Sequence, residues 1–199
     1  MRNVRYKLGQ MSFTLGFQMF KRDRTKATEG GKARGHNPVA PPEPLVAERR
    51  QRLLALDPAA LRLKPSAMLP RVWGFLMDTG RPAGLLTVAA LADGKMALLQ
   101  GNGWGTELPA TALPGSAAMI GALLAVAETQ LLRLTPTSTY PLPDLGRVRI
   151  LVRTFDGDLA GDAPEDDLGF GRHPLSPLFH AAQTLTGTLH EKAKPLSRK

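Results

Sequence analysis

Cysteine is absent from the 199 residues. Disulfides, thiolate metal ligands and a cysteine nucleophile are therefore excluded, and the chain suits a reducing, cytoplasmic setting. Long apolar runs are missing too. No stretch reaches the roughly 20 residues that a membrane-spanning helix requires. No secretory leader is visible either: residues 11–20, MSFTLGFQMF, follow a broken basic stretch and lack a small-residue cleavage site. Catalytic signatures are scarce, with no G-x-S-x-G elbow for a serine nucleophile and no HExxH pair for zinc.

What is present is an ordinary apolar fraction of 43%, enough for one folded domain with tails. The formal net charge is +9, and it is unevenly placed. Residues 1–39 carry nine Lys/Arg against Asp23 and Glu29, a net +7, and residues 191–199 carry a net +3. The intervening body is nearly neutral, at −1. The basic character thus belongs to the ends, where it attracts polyanions or simply keeps a tail solvated. Residues 1–43 read as a basic, Gly/Pro-containing flexible arm, 44–192 as the domain, and 193–199 as a basic tail. Met11 is an alternative start to Met1. It would open a short F-x-L-x-F-x-x-F arm followed by Lys21, Arg22, Arg24 and Lys26, a pattern that could touch a membrane surface or a partner groove.

Hydrophobic periodicity predicts the elements. A short helix over 45–56, LVAERRQRLLAL, stops at Asp57-Pro58, where Asp57 caps a further turn. Residues 71–77 and 85–92 are apolar on both faces, as central strands are, with DTGRPAG breaking the chain between them, and Asp93-Gly94 turns it into a third strand over 95–100. A buried helix follows within 114–134, with Ile120, Leu123, Leu124, Ala127, Leu131 and Leu134 at helical spacing. Residues 147–155 alternate as a strand, 158–163 suggest a weak return strand, and Ser176-Pro177 opens a last helix buried through Leu178, Ala182, Leu185 and Leu189. Ser116 and Ser176 read as helix caps. The order implies an α+β domain: an antiparallel sheet with a three-strand meander and helices packed on it. In architecture alone it resembles the profilin, longin and roadblock group, although the element order is not that of roadblock proteins.

Four motifs are candidates for chemistry. GNGWG, 101–105, has the glycines of a phosphate cradle but no following lysine, and prolines separate it from the next helix, so it reads as a turn. Within it Trp104, with Asn102 beside it, is the candidate partner anchor. Arg147, Arg149 and Arg153 with Phe155 form a row on one strand face that could meet a nucleic-acid backbone or simply face water. DGDLAGDAPEDD, 156–167, matches a calcium loop at Asp156, Asp158, Asp162, Gly161 and Asp167, but Ala160 stands at a ligand position. His173 and His180 near Asp166 and Asp167 could form a metal or general-base site, or could be surface histidines.

The segments RVWGFLMDTGRPAGLLTVAALADGKMALLQGNG, GRVRILVRTFDGDL and GRHPLSPLFHAA resemble a group of small bacterial proteins over roughly residues 44–190. The resemblance implies a bacterial, cytoplasmic origin and carries no activity with it. The expected function is a non-enzymatic protein-interaction module, one that could be a subunit of a larger assembly, needing no cofactor and no metal. The alternatives are nucleic-acid association through the basic ends and the arginine row, and, weakest, a metal-dependent enzyme at 156–173.

Overall fold

A computed structural model describes residues 37–197 of the chain. The expectations for Met11, Lys21, Arg22, Arg24 and Lys26 lie outside the described residues. The elements are α1 (Pro44–Leu54), β1 (Val72–Arg81), β2 (Gly84–Leu91), β3 (Lys95–Gln100), β4 (Trp104–Pro109), α2 (Ser116–Gln130), β5 (Thr135–Thr137), β6 (Arg147–Thr154), β7 (Gly157–Pro164), α3 (Glu165–Gly169), α4 (Ser176–His190) and β8 (Lys194–Pro195). All eight strands form one antiparallel sheet, in the order β5-β7-β6-β1-β2-β3-β4-β8. The chain has the α+β class read from its sequence.

Both faces of the sheet are covered, and the strands were composed for it. Phe75, Met77, Val88, Ala90, Met96 and Leu98 point to α2 and α4. Leu76, Ala89 and Ala97 point the other way, toward Leu54 of α1. The α4 stripe Leu178, Ala182, Leu185 and Leu189 is fully buried. Each leucine so buried contributes about 1.5–3 kcal/mol.

The meander forms where periodicity placed it, with only its first strand longer than expected. DTGR does not break β1. Asp78 and Thr79 stay in register with Thr87 and Leu86, and the turn falls at Pro82-Ala83 instead. The weak return strand is a full partner, with β7 matched to β6 over eight residue pairs. β4, β5, α3 and β8 were not expected. β4 was hidden by its glycines: Gly103 turns the chain at φ 86°, and a Cβ at Gly105 would collide with the carbonyl oxygen of Leu98 on β3. The GNGWG loop therefore connects two paired strands. Asp57 does cap its turn, accepting from Ala59 N at 2.8 Å.

The serines play other parts. Gly115, at φ 75°, is the N-cap of α2, while Ser116 Oγ reaches back to the carbonyls of Ala110 and Leu113. Ser176 Oγ accepts from His173 N at 3.3 Å and makes no cap bond. Packing also begins before Pro44. Asn37 O accepts from Leu145 N at 2.9 Å, and Val39 is buried. At the other end the tail is pinned, because Leu196 N donates to Gly103 O at 2.8 Å beside β8. Among the described residues no helix is long and apolar enough to cross a membrane.

Candidate functional site

The distinctive chemistry lies on the sheet face that α1 crosses. Small side chains at Ala89, Ala97 and Ala160 let the helix approach that face. α1 buries Val46, Arg50 and Leu54, four residues apart, so a guanidinium sits inside an otherwise apolar stripe. Arg50 is neutralised there. Its Nε and Nη2 donate to Asp78 Oδ2 at 2.9 and 2.6 Å, Thr87 Oγ1 donates to Asp78 Oδ1 at 2.5 Å, and Nη2 also reaches Tyr140 O at 3.1 Å. A buried ion pair persists when its buried polar atoms find partners, and no buried atom of Arg50 or Asp78 is left without one.

Arg153 forms the second clamp. It lies 4.5 Å over the Trp73 ring, and its Nε donates to Asp158 Oδ1 at 2.8 Å. Its Nη1 and Nη2 donate to Leu53 O and Leu56 O at 3.0 and 3.1 Å. Leu53 lies in the last turn of α1 and Leu56 two residues past it, where a cation also meets the negative pole of the helix. Trp73 Nε1 is satisfied by Thr154 O at 3.0 Å.

Tyr140 closes the cluster by donating to Asp158 Oδ2 at 2.6 Å. That hydrogen bond, then burial and the Asp158 charge, raise the Tyr140 pKa above 10.0 despite the opposing Arg153 charge. A phenol whose folded pKa is raised stabilises the fold fully below its unfolded pKa, and the gain is lost as pH climbs through the folded value. The other tyrosine is Tyr6, so subtracting the 295 nm titration of Tyr140→Phe from that of the parent isolates Tyr140. The expected midpoint lies above 10, and a midpoint at or below 10 contradicts the Asp158 bond.

The sequence-predicted residues are dispersed. The alternation of β6 is as read, but its arginine row is unequal: α1 covers Arg153, the chain beside Tyr140 meets Arg149, and Arg147 stays about a third exposed. Arg147 pairs with Asp162, Arg149 Nη2 donates to Thr139 O at 3.2 Å, and Arg153 is only 8% exposed. Phe155 is half-buried beside Arg71, whose carbonyl accepts its N–H at 2.9 Å. Asn102 Oδ1 accepts from Trp104 N at 3.2 Å, a local turn contact, while Trp104 is 45% exposed.

The calcium-like stretch is drawn out along β7. Asp158 serves Arg153 and Tyr140, Asp162 serves Arg147, and Asp167 of α3 pairs with Arg172 at 2.8 Å. His173 Nδ1 accepts from Leu175 N at 3.2 Å, and His180 Nε2 lies 3.1 Å from Gly169 O. Among the described residues no three His, Asp or Glu side chains gather as a metal site would need. The 156–173 stretch thus supplies turn, strand and ion-pair partners.

Beside α1 the face is left open. A recess of about 340 Å³ lies between the helix and β2–β4. Ala89, Leu91 and Ala97 floor it, Leu53 and Leu56 wall it, and Arg52 and Lys95 stand at its margin. Arg49 reaches between this recess and the outer edge of β4, with Nη1 2.9 Å from Glu107 Oε1 and Nη2 donating to Ser197 O at 2.6 Å. Its Nε is buried with no partner among the described residues. Sequence reasoning passed over Arg49, Arg50, Trp73, Asp78 and Tyr140. The one available signal was Arg50 within the 46/50/54 stripe.

Fold and site together define a single-sheet α+β protein with a helix-flanked apolar recess. Comparison with family models, with curated proteins and with solved structures finds no match to this chain.

Proposed function

We propose that the chain is a non-enzymatic protein-interaction module, suited to membership of a larger assembly, whose contact surface is the β2–β4 end of the sheet beside α1. The observation that carries this reading is the recess. It is an apolar-lined hollow between a helix and a sheet, narrow enough that Ala89, Leu91 and Ala97 at its floor stay 1–4% exposed, with cations at its margin, which suits a partner side chain. The buried ionisable groups nearby are each committed to holding α1 in place. Trp104, half-exposed at the start of β4, supplies an aromatic anchor on the same hairpin.

Two variants test it. Ala97→Leu fills the recess from its floor, and Trp104→Ala removes the anchor. Cross-linking of the tagged protein in its source cell, read by mass spectrometry, is expected to give a discrete partner set. Ala97→Leu should remove it, and Trp104→Ala should weaken the isolated contact about 30-fold, the range of a tryptophan hot spot. Both variants, like the parent, are expected to unfold in one cooperative step. An unchanged partner set with Ala97→Leu overturns the recess as the contact surface.

A further inference from the structure

We infer that the outer edge of β4 accepts an extended, acidic segment of a partner protein as an added strand. The inference rests on the interaction-module reading and names the class of partner.

Among the described residues β4 is nearly uncovered on its outer side. It pairs with β3 over Gly105–Pro109, but with β8 only at Trp104 and Gly105. Pro195 has no N–H, and Leu196 N donates to Gly103 O, so the outward-facing backbone groups are those of Gly103 and Gly105. Strand alternation then turns the N–H and C=O of Glu107 and the C=O of Pro109 outward as well. Among the described residues no strand takes them. Unpaired groups of this kind are what a peptide uses when it extends a sheet.

The space beside that edge is formed. Where the C-terminal tail leaves β4, a groove of about 970 Å³ opens between them. Its charged walls select the occupant. Arg49 and Arg52 line it from α1, and Lys192 and Lys194 from the tail. Glu48 and Glu107 line it too, but Arg52 stands 3.5 Å from Glu48 and Arg49 is paired with Glu107. Lys192 and Lys194 are exposed and have no acidic partner among the described residues. Arg49, at 9% exposure, keeps its Nε unpartnered. A second copy docking edge to edge would bring two such cationic walls together, so charge disfavours it and favours an acidic segment.

The pleat also sets the pattern of that segment. Side chains of an added strand that point to the α1 face meet Arg49 and Arg52, and their neighbours meet Ala112 and Leu113. Acidic and small apolar residues should therefore alternate.

The probe is a fluorescein-labelled octapeptide of alternating Glu and Val, titrated by anisotropy into the full chain. Its control is a peptide of the same composition with four Glu followed by four Val. The alternating peptide is expected to bind at least tenfold more tightly than the block peptide. The double variant Arg52→Glu/Lys192→Glu, at exposed positions, should weaken it at least tenfold. Hydrogen exchange at the Glu107 amide should slow when the peptide is bound. Equal binding of the two peptides, or an unprotected Glu107 amide, overturns the inference. If the octapeptide fails while Ala97→Leu still removes the cross-linked partners, the edge fails and the module reading stands. If the octapeptide protects Glu107 while Ala97→Leu changes nothing, the edge stands and the recess does not.

Discussion

Replacing Asp78 by alanine is expected to destabilise the protein by about 3–5 kcal/mol, because it strands a buried cation. The side chains of Arg50 and Asp78 are 9% and 2% exposed, and water cannot take over the carboxylate's role. Thr87 would lose its acceptor at the same time, adding an unmet hydroxyl. Urea unfolding should show the loss as a midpoint shift with little change of slope. The double variant Arg50→Met/Asp78→Leu should recover much of the stability, since an apolar pair of similar volume carries no desolvation cost. A loss below about 1 kcal/mol for Asp78→Ala would place the pair in a solvent-screened environment instead.

The second large effect separates two arginines of one strand. Arg153→Ala is expected to cost about 3–5 kcal/mol, while Arg147→Ala should cost about 1 kcal/mol or less. Arg153 and Asp158 side chains are 10% and 8% exposed, against 34% and 32% for Arg147 and Asp162. Arg153 also stacks on Trp73 and holds the end of α1 through Leu53 O and Leu56 O. Removing it should therefore loosen α1 specifically, with faster amide exchange at Leu53 and Leu54. Equal losses from the two variants in the same urea series would contradict the difference in burial.

These two cases also show where sequence reading stops. Val148, Ile150 and Val152 announce the strand and its inner face through alternation alone. Arg147, Arg149 and Arg153 then look equivalent, because alternation assigns a face and says nothing of what lies over it. α1, about a hundred residues earlier in the chain, covers Arg153 and spares Arg147. Asp78 misled for the same reason. Asp78, Gly80 and Pro82 close together are local signals of a strand end, and only Arg50 arriving from α1 lets Asp78 remain inside β1.

Local chemistry decided the elements that local chemistry can reach. Apolar patterning set the meander, the buried helix and the α4 stripe, and Asp93-Gly94 and Asp156-Gly157 set their hairpins. Tertiary structure alone decided that the tail joins the sheet as β8, that β4 carries an open edge, and that a recess lies beside α1. Each of these depends on contacts between segments far apart in the chain, such as Arg49 with Glu107 and Ser197. Burial and pairing over such separations are properties of the packed whole, and no window of sequence contains both partners.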